Sequence, residues 1–354
     1  MVLLPVSCLK MPSEDHGGVE HIIMPTETNS QPNDGRVSKF KRPLRTIALF
    51  GGANEISKSA AQFISNQAQD VTVRLLVRRE EARNELKSIF PNADIRFADY
   101  FDRDSLTAAL SGADAAFVIT PDFFDETTAM TNLVHAAGAA DIQHIVRLTG
   151  DPPGMTLNRV PEFIKRAGNV PSIQHLYARA VLEPSRLPVT FLNSAAYYMQ
   201  TMATPLFAYA IKKDRVLSMP CDKNMTFIDK ADIGECAAAL LLSDDPRHVG
   251  ASYHLNNGND LLCFRDFAKL LSEVLGEDIG YDGSEERFLE YNAAALEALL
   301  NIPDAGKLIL EMFKFETANE HAWRRSDIVQ YLLGRPAKTL RHWLEDNRDK
   351  FDRI

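Results

Sequence analysis

The sequence predicts an α/β protein, a Rossmann-like doubly wound parallel sheet with a smaller, mainly helical C-terminal part. An apolar run at 46–50 ends in the glycine pair Gly51-Gly52, and a stretch with helical spacing follows it. Further apolar runs then alternate with helical patterns as far as residue 192. Strands that alternate with helices of this length are typical of a parallel sheet covered on both faces. A chain of 354 residues is also long enough to bury such a core.

The first unit is a strand, a tight turn and a helix. Ile56, Ala60, Phe63 and Ile64 recur at helical spacing, and 71–77 is a second apolar run. Glycines in the turn let the backbone approach a diphosphate, and the helix start offers unpaired N–H groups. This unit therefore predicts a dinucleotide site.

The same two periodicities predict the later elements. The predicted strands of the sheet are 93–97, 115–119, 144–148 and 189–192, and the helices between them include 80–89, a long helix through Met130 and Ala137, and 173–185. Residues 225–243 fit a strand and a helix that pack back on the sheet, and 264–275, 284–300 and 339–347 fit helices of the smaller part. We accordingly expect an arm at 1–44, a nucleotide-binding Rossmann domain at 45–196 and a substrate-binding part at 197–354, with 225–260 returning to the sheet.

Composition narrows the class of protein. The net charge of −9 argues against nucleic acid as a partner, and no apolar run approaches the roughly 18 residues of a membrane span. The four cysteines have no metal-ligand spacing, which indicates reduced thiols in a cytoplasmic protein without a metal. Met1–9 lacks a basic leader and a cleavage site, so we do not expect a signal peptide. The polar segment 10–45 predicts a flexible arm, and its basic end is a solvated linker or a nuclear signal.

The turn departs from the usual glycine pattern. Asn54 and Ser57 stand where a G-x-x-G-x-x-G loop has glycine, although asparagine tolerates left-handed backbone and serine is small. At the end of the second strand, where NAD-specific folds place an acidic residue, the sequence has Arg78-Arg79. Two guanidinium groups suit a 2′-phosphate, so NADP(H) is the expected cofactor, and a solvated charge pair is the alternative. The expected cofactor-binding residues of these two segments are Gly51, Gly52, Ala53, Asn54, Glu55, Ile56, Arg78 and Arg79.

Polar residues also follow the later strands. Ligands of doubly wound folds bind outside the carboxyl ends of the strands. The candidates at these ends are Asp99, Tyr100, Thr120, Pro121, Thr149 and Gly150. Simple capping is the alternative role for the threonines.

From Thr46 onward the chain resembles the NmrA-like family of atypical short-chain dehydrogenases, which is related to isoflavone and phenylcoumaran benzylic ether reductases. The stretches that carry the resemblance are 47–57, 73–78, 99–100 with 105–106, 136–138 with 144–148, 187–192, 227–229 with 232–233, and 333–336. The resemblance implies an NADP-binding Rossmann domain with a smaller part over the pocket. It also implies an oxidoreductase, and we expect it to act in secondary metabolism.

The family comparison also implies catalytic candidates. Short-chain dehydrogenases use a Tyr-x-x-x-Lys pair, but Tyr177 has Val181 at the lysine position. The lysine that serves as acid or base in the benzylic ether reductases is replaced by His175, which is able to exchange a proton at neutral pH or to bind the cofactor ribose. Tyr177 and Tyr197 are the tyrosine candidates for proton transfer. Arg179 stands four residues after His175 and is expected to pair with Asp151 or with an acidic substrate group.

Three functions fit these residues. The first is NADPH-dependent reduction of a hydrophobic small molecule. The second is a cyclising or condensing reaction, a redox-mediated cycloaddition or a Pictet-Spengler-type step, on the same scaffold. The third is a nicotinamide-nucleotide sensor without catalysis. The long helical C-terminal part favours an enclosed pocket and hence an enzyme, acting as a monomer or a homodimer.

Overall fold

The computed structural model describes residues 41–152, 154–166, 170–319 and 324–354. Strands and helices alternate through the N-terminal half, as predicted. The elements of this half are β1 (Thr46–Phe50), α1 (Glu55–Gln67), β2 (Thr72–Val77), α2 (Glu81–Ile89), β3 (Asp94–Phe97), α3 (Arg103–Leu110), β4 (Ala115–Val118), α4 (Glu126–Ala139), β5 (His144–Thr149), α5 (Glu162–Arg166), α6 (Pro171–Leu182) and β6 (Val189–Asn193).

Helices dominate the second half. Its elements are β7 (Tyr197–Tyr198), α7 (Pro205–Asp214), β8 (Val216–Ser218), β9 (Met225–Ile228), α8 (Lys230–Leu242), β10 (Ser252–His254), β11 (Leu261–Leu262), α9 (Phe264–Leu275), β12 (Gly280–Asp282), α10 (Glu285–Leu300), α11 (Ala305–Ala318), α12 (Ile328–Leu333) and α13 (Leu340–Asp346). None of the helices in the described ranges combines the length and apolar character needed to cross a bilayer.

The central sheet has seven parallel strands in the order β10-β6-β5-β4-β1-β2-β3. This arrangement confirms the predicted Rossmann-like fold class. The order reverses between β1 and β4, and the carboxyl ends on either side of that point form the crevice in which such folds bind ligands. The turn after β1 and the segment after β4 both open into this crevice.

The seventh strand was not among the predicted ones. Ser252–His254 pairs in parallel with β6, although its three residues are largely polar and too few for a periodic pattern. Helix α8 comes between β9 and this strand and packs on α1. Residues of the smaller part thus complete one edge of the sheet and cover one of its faces.

A predicted helix at 173–185 instead ends at Leu182 and continues as a short 3-10 turn, Glu183–Ser185. Pro184 explains the change, because proline has no N–H to donate to the preceding turn. Arg186 then adopts a left-handed conformation with φ of 62° and directs the chain into β6.

Lys41, the first described residue, binds the C-terminal end of α8 through its side chain. Residues 1–40 of the predicted arm lie outside the described residues. Lys41, which the arm was expected to include, is buried, and its Nζ donates to the carbonyls of Leu240 (3.4 Å), Leu241 (2.8 Å) and Ser243 (2.5 Å). These carbonyls have no partner within the helix, so the ammonium caps the helix. Burial lowers the pKa of Lys41 to about 8, against the opposing influence of Asp244.

Candidate active site

Three neighbouring cavities lie along the carboxyl ends of the strands. The loop cavity, about 350 Å³, is lined by residues 50–54, 76–79 and neighbours that include Tyr100 and Pro121. The junction cavity, about 240 Å³, is lined by residues that include Asn54, Thr120 and His175. The apolar cavity, about 360 Å³, extends from His175 to Glu316 under α10 and α11. Asn54 and Pro121 border the first two cavities, and His175 and Tyr198 border the last two, so the three form one continuous cleft.

The turn after β1 closes without the missing glycines. Gly51 has a φ of 63°, a conformation in which a side chain would be strained, and a Cβ on Gly52 would lie 2.9 Å from the Leu75 side chain. Asn54 takes the N-cap position and accepts a hydrogen bond from the N–H of Ile56 at 2.9 Å. Ser57 donates to the Phe50 carbonyl at 2.7 Å and is fully buried. The Asn54 cap and the Ser57 hydrogen bond therefore hold the turn in place, although neither position has the glycine of the usual motif.

Arg78 and Arg79 border the loop cavity beside this turn. Both are exposed, and no carboxylate pairs with either one among the described residues. The nearby Arg83 differs, because it bonds to Glu80 at 3.1 Å. The start of α1 and the two arginines together make a donor set that fits the diphosphate and 2′-phosphate of a dinucleotide.

Several of the predicted cofactor-binding and catalytic residues do not line any of the three cavities. Glu55 is exposed and pairs with Lys230 at 3.0 Å. Asp99 accepts from the N–H of Phe101 at 3.0 Å and stabilises its own turn. Thr149 is buried, and Tyr177 packs on the core of the smaller part; neither lines the three cavities.

Tyr100 does line the loop cavity, but as a structural wall. Its ring stacks on Phe50 with centroids 4.8 Å apart, and its hydroxyl donates to the Ile119 carbonyl at 3.0 Å. Burial, partly offset by Arg147, raises the pKa of this phenol far above its usual range. Tyr100 therefore supports the cavity and does not exchange a proton.

His175 lies at the junction on a buried ion pair. Arg147 and Glu126 are both fully buried, and Arg147 Nη2 lies 2.7 Å from Glu126 Oε1. Arg147 Nη2 also contacts His175 Nδ1 at 3.3 Å, and Glu126 Oε1 is 3.6 Å from the same nitrogen. Thr120 and Gln174 donate to the same carboxylate oxygen. Four segments of the chain thus converge beneath one imidazole.

Glu126 keeps its charge in this environment. Burial alone would raise the pKa of the carboxyl, but the charge of Arg147, the neighbouring His175 and a hydrogen bond from Thr120 outweigh it and lower the pKa to about 2. Asp122 behaves differently, because desolvation raises the pKa of its carboxyl, while the nearby His175 opposes the shift. Asp122 is exposed to the cleft and borders both the junction and apolar cavities.

The apolar cavity has aromatic and aliphatic walls with one polar cluster at its far end. Its walls include Phe123, Leu206, Phe207, Leu300, Ile309, Met312 and Phe313. Tyr197 donates to Glu316 at 3.1 Å, and Lys223 is ion-paired with the same carboxylate. Burial, and then Glu316, raise the pKa of Tyr197 well above that of a free phenol. Tyr197 therefore lines the cavity with its proton held toward Glu316.

Helix α6 carries a second ion pair beside His175. Arg179 Nε lies 2.9 Å from Asp151 Oδ2, the partner that the sequence suggested. Asn193, at the end of β6, donates to the Asp151 backbone carbonyl at 2.9 Å. The guanidinium of Arg179 also covers the Phe191 ring at 4.1 Å. This pair fixes α6 against β6 and so sets the position of His175.

Sequence reasoning missed several residues of the cleft. The missed residues in and beneath the cleft are Asp122, Glu126, Arg147, Lys223 and Glu316. Only Arg147 left a signal, since a charged residue within a fully buried strand needs a buried partner. No cluster of three or more histidine, cysteine or acidic side chains suitable for a metal occurs among the described residues.

Comparisons with known proteins place this fold among reductases. The chain is 27% identical over 312 residues to a (4-alkanoyl-5-oxo-2,5-dihydrofuran-3-yl)methyl phosphate reductase of Streptomyces griseus, covering 86% of this chain and 99% of the relative. It is 25% identical over 236 residues to the NAD(P)H azoreductase of Xenophilus azovorans, covering 66% and 76% of the two chains. The crystal structure of a Citrobacter sp. triphenylmethane reductase complexed with NADP(H) superposes with a TM-score of 0.67 at 19% identity, covering 85% and 99%.

The fold and the cleft define a Rossmann-type α/β protein whose smaller helical part closes over one end of the sheet. The model of the NmrA-like family matches residues 43–323. The chain therefore belongs to the NmrA-like family, as the sequence resemblance indicated.

Proposed function

We propose that this chain is an NADPH-dependent reductase that acts on a hydrophobic small molecule. One observation carries the proposal: the junction cavity, which His175 lines, lies between the loop cavity with its phosphate-binding donor set and the apolar cavity. Hydride transfer requires a nicotinamide and its acceptor to lie against each other in a site that excludes water. The junction cavity offers such a place. The relatives named above are all reductases by description, and two of those descriptions include a nicotinamide nucleotide.

The residues present fit the cofactor. The N–H groups at the start of α1 would hold the diphosphate, and Arg78 and Arg79 would hold the 2′-phosphate. The nicotinamide end would then reach the junction cavity between Pro121 and His175. When bound, NADPH supplies a hydride, and the acceptor takes up one proton in addition to complete a two-electron reduction. The sequence-based assignment of NADP(H) is retained on these grounds.

The apolar cavity would select the substrate. Its aromatic and aliphatic walls favour a hydrophobic molecule, and the Tyr197–Glu316–Lys223 cluster offers polar contacts at the end remote from His175. Asp122 and Glu316 are the acidic residues of the lining, and no lysine or arginine lines it among the described residues. We therefore expect neutral substrates to be favoured over anionic ones.

The proposal is tested by following NADPH absorbance with a panel of quinones, enones, imines and azo compounds. We expect turnover with at least one neutral member of the panel and none without an acceptor. Replacing His175→Ala should reduce kcat by about 100-fold or more, because His175 borders both cavities, while leaving the Kd for NADPH within a few-fold.

The matched control is His135→Ala, because His135 is an exposed histidine of α4 outside the cleft. It should leave both constants unchanged. If calorimetry detects no binding of NADPH or NADP⁺ at millimolar concentrations, the reductase proposal is wrong. If the nucleotide binds but no acceptor is reduced, the cofactor site stands and the catalytic assignment fails.

A further inference from the structure

The orientation of the His175 ring carries information about its proton. Nδ1 faces the buried Arg147–Glu126 pair, while the opposite edge of the ring faces the cleft. A Cβ built on Gly150 would lie 3.4 Å from His175 Cδ2 and 3.6 Å from Nε2, so the glycine leaves this edge uncovered. No hydrogen-bond partner of Nε2 occurs among the described residues. Nε2 is therefore the ring nitrogen available to a ligand.

The atom that faces Nδ1 decides the tautomer. Arg147 Nη2 lies 3.3 Å from Nδ1, and a guanidinium nitrogen can only donate hydrogen bonds. Its two protons also serve Glu126 Oε1 at 2.7 Å and Thr120 Oγ1 at 2.8 Å, so His175 shares one of them, and an N–H at Nδ1 would point its hydrogen at the guanidinium. Nδ1 must then accept this bond through its lone pair. In a neutral imidazole the proton is consequently on Nε2.

Charged groups face the ring from α4, from β5 and from the segment after β4. Glu126 from α4 and Asp122 from the segment after β4 favour an imidazolium, and Arg147 from β5 opposes it. A proton on Nδ1 would need an acceptor within hydrogen-bond distance. The nearest carboxylate oxygen, Glu126 Oε1, is 3.6 Å away, and it already receives bonds from Arg147, Thr120 and Gln174.

We infer that the buried Arg147–Glu126 pair is a positioning pair that fixes His175 in the Nε2–H tautomer, so that His175 polarises the substrate by a hydrogen bond and does not give up a proton. A neutral imidazole that lost its Nε2 proton would become an imidazolate, which is not accessible at neutral pH. This assignment argues against proton exchange, one of the two roles that the sequence left open for His175.

The tautomer defines the substrate class of the proposed reductase, on which this step of the inference rests. The reducible group must present a lone pair to Nε2–H, as a carbonyl or quinone oxygen or an uncharged imine or azo nitrogen does. Hydride adds to the atom double-bonded to that heteroatom, the π electrons move to the heteroatom, and the heteroatom then takes a proton from water. A cationic iminium has no lone pair for this hydrogen bond and should be a poorer substrate.

The tautomer is measured directly by ¹⁵N NMR of the full chain labelled at histidine, with the His175 signals assigned by their absence in His175→Gln. We expect a protonated Nε2 and an unprotonated Nδ1 at pH 7.5. A protonated Nδ1, alone or together with Nε2, would overturn the inference. This measurement needs neither substrate nor activity, so its outcome is separate from that of the proposed function.

A double variant tests the role of the pair. Glu126→Leu with Arg147→Met removes both charges at once and leaves no unpaired buried ion. We expect a mixture of His175 tautomers, a kcat lowered by at least about tenfold and an NADPH Kd within a few-fold of the original. The matched control replaces another partly buried pair, Arg74→Met with Asp94→Leu, which lies away from the cleft. An unchanged tautomer in the cleft variant would show that Arg147 and Glu126 do not position the ring.

Discussion

Two exposed arginines without carboxylate partners are unusual next to a helix that begins with free N–H groups. Arg83, a few residues later, does have such a partner in Glu80. Arg78 and Arg79 instead border the loop cavity. Their position at the end of β2 is the one from which a side chain reaches the adenosine ribose in this fold.

Replacing Arg78→Ala should therefore weaken NADPH binding by about 10- to 100-fold, the range expected for a lost hydrogen bond between charged groups. NADH, which has no 2′-phosphate, should lose less than about threefold. Fluorescence titration of both nucleotides against the two proteins measures the difference. Arg83→Ala, in an arginine already paired, is the control and should change neither affinity. Equal losses for NADPH and NADH would contradict the 2′-phosphate assignment.

Whether a site residue could be predicted from the sequence depends on how far along the chain its partner lies. The positions of Gly51 and Arg78 at the cleft followed from the strand and turn pattern, and that of His175 followed from the family resemblance. The Arg147–Glu126 pair was not predictable, since 21 residues separate its members and Glu126 by itself resembles any acidic residue of a first helical turn. Contacts made through folding, as opposed to local pattern, leave little trace in a single sequence.

At the scale of elements, the contact between α1 and α8 holds the nucleotide turn in place. Gly234 of α8 lies directly against α1, where an added Cβ would come within 2.2 Å of the Ile56 carbonyl oxygen. Ile56 is the second residue of α1, next to the turn that forms the loop cavity. The absence of a side chain at 234 therefore sets the distance between the two helices.

Gly234→Ala should push these helices apart and lower the free energy of unfolding by about 1–3 kcal/mol, the usual cost of overpacking. Gly138→Ala is a matched change in α4, at an exposed site with no atom within 4 Å of the added Cβ. It should raise stability by up to about 1 kcal/mol, because alanine favours a helix over glycine. Urea denaturation of both variants measures the contrast. A harmless Gly234→Ala would show that the helix contact is looser than described.

Most long elements were predicted, although the 14-residue helix α11 was not, and most short elements were missed. Helix 264–275 has the predicted bounds, and the six strands at 46–97, 115–149 and 189–193 agree to within a residue or two at their ends. Strands β10 and β11 and helix α7 were not foreseen, because two or three residues carry no period and α7 mixes lysines with a narrow apolar stripe. Their positions depend on tertiary pairing.

At the scale of the whole molecule, a buried histidine links stability to acidity. His144 begins β5 with its side chain fully buried, and its Nε2 lies 2.7 Å from Thr190 Oγ1. The Thr190 hydroxyl donates its own proton to the His248 carbonyl at 2.6 Å, so His144 Nε2 must be the donor of the first bond. Burial, with smaller contributions from Lys41 and His248, lowers the pKa of His144 to about 3.

Since the unfolded chain takes up this proton near pH 6.5 and the folded chain only near pH 3, the free energy of unfolding should fall as pH decreases between those values. The slope for one group is about 1.4 kcal/mol per pH unit, or about 3 kcal/mol between pH 6.5 and pH 4. His144→Gln keeps an N–H donor without a titrating group and should flatten this slope. His342→Gln, at an exposed site, should not. Urea denaturation from pH 4 to 7.5 gives the comparison, and parallel slopes for the original chain and His144→Gln would refute it.

The bonds of Lys41 to the end of α8 bear on how the protein is best shortened for experiments. A fragment that begins at Thr46, the first residue of the sheet, would lack the Lys41 ammonium. That cation binds three carbonyls about 200 residues further along the chain. Those carbonyls lie at the end of α8, and α8 also packs through Gly234 against α1, the helix that follows the nucleotide turn. Removal of the few residues before the first strand would therefore weaken the support of the cofactor site, which lies elsewhere in the fold.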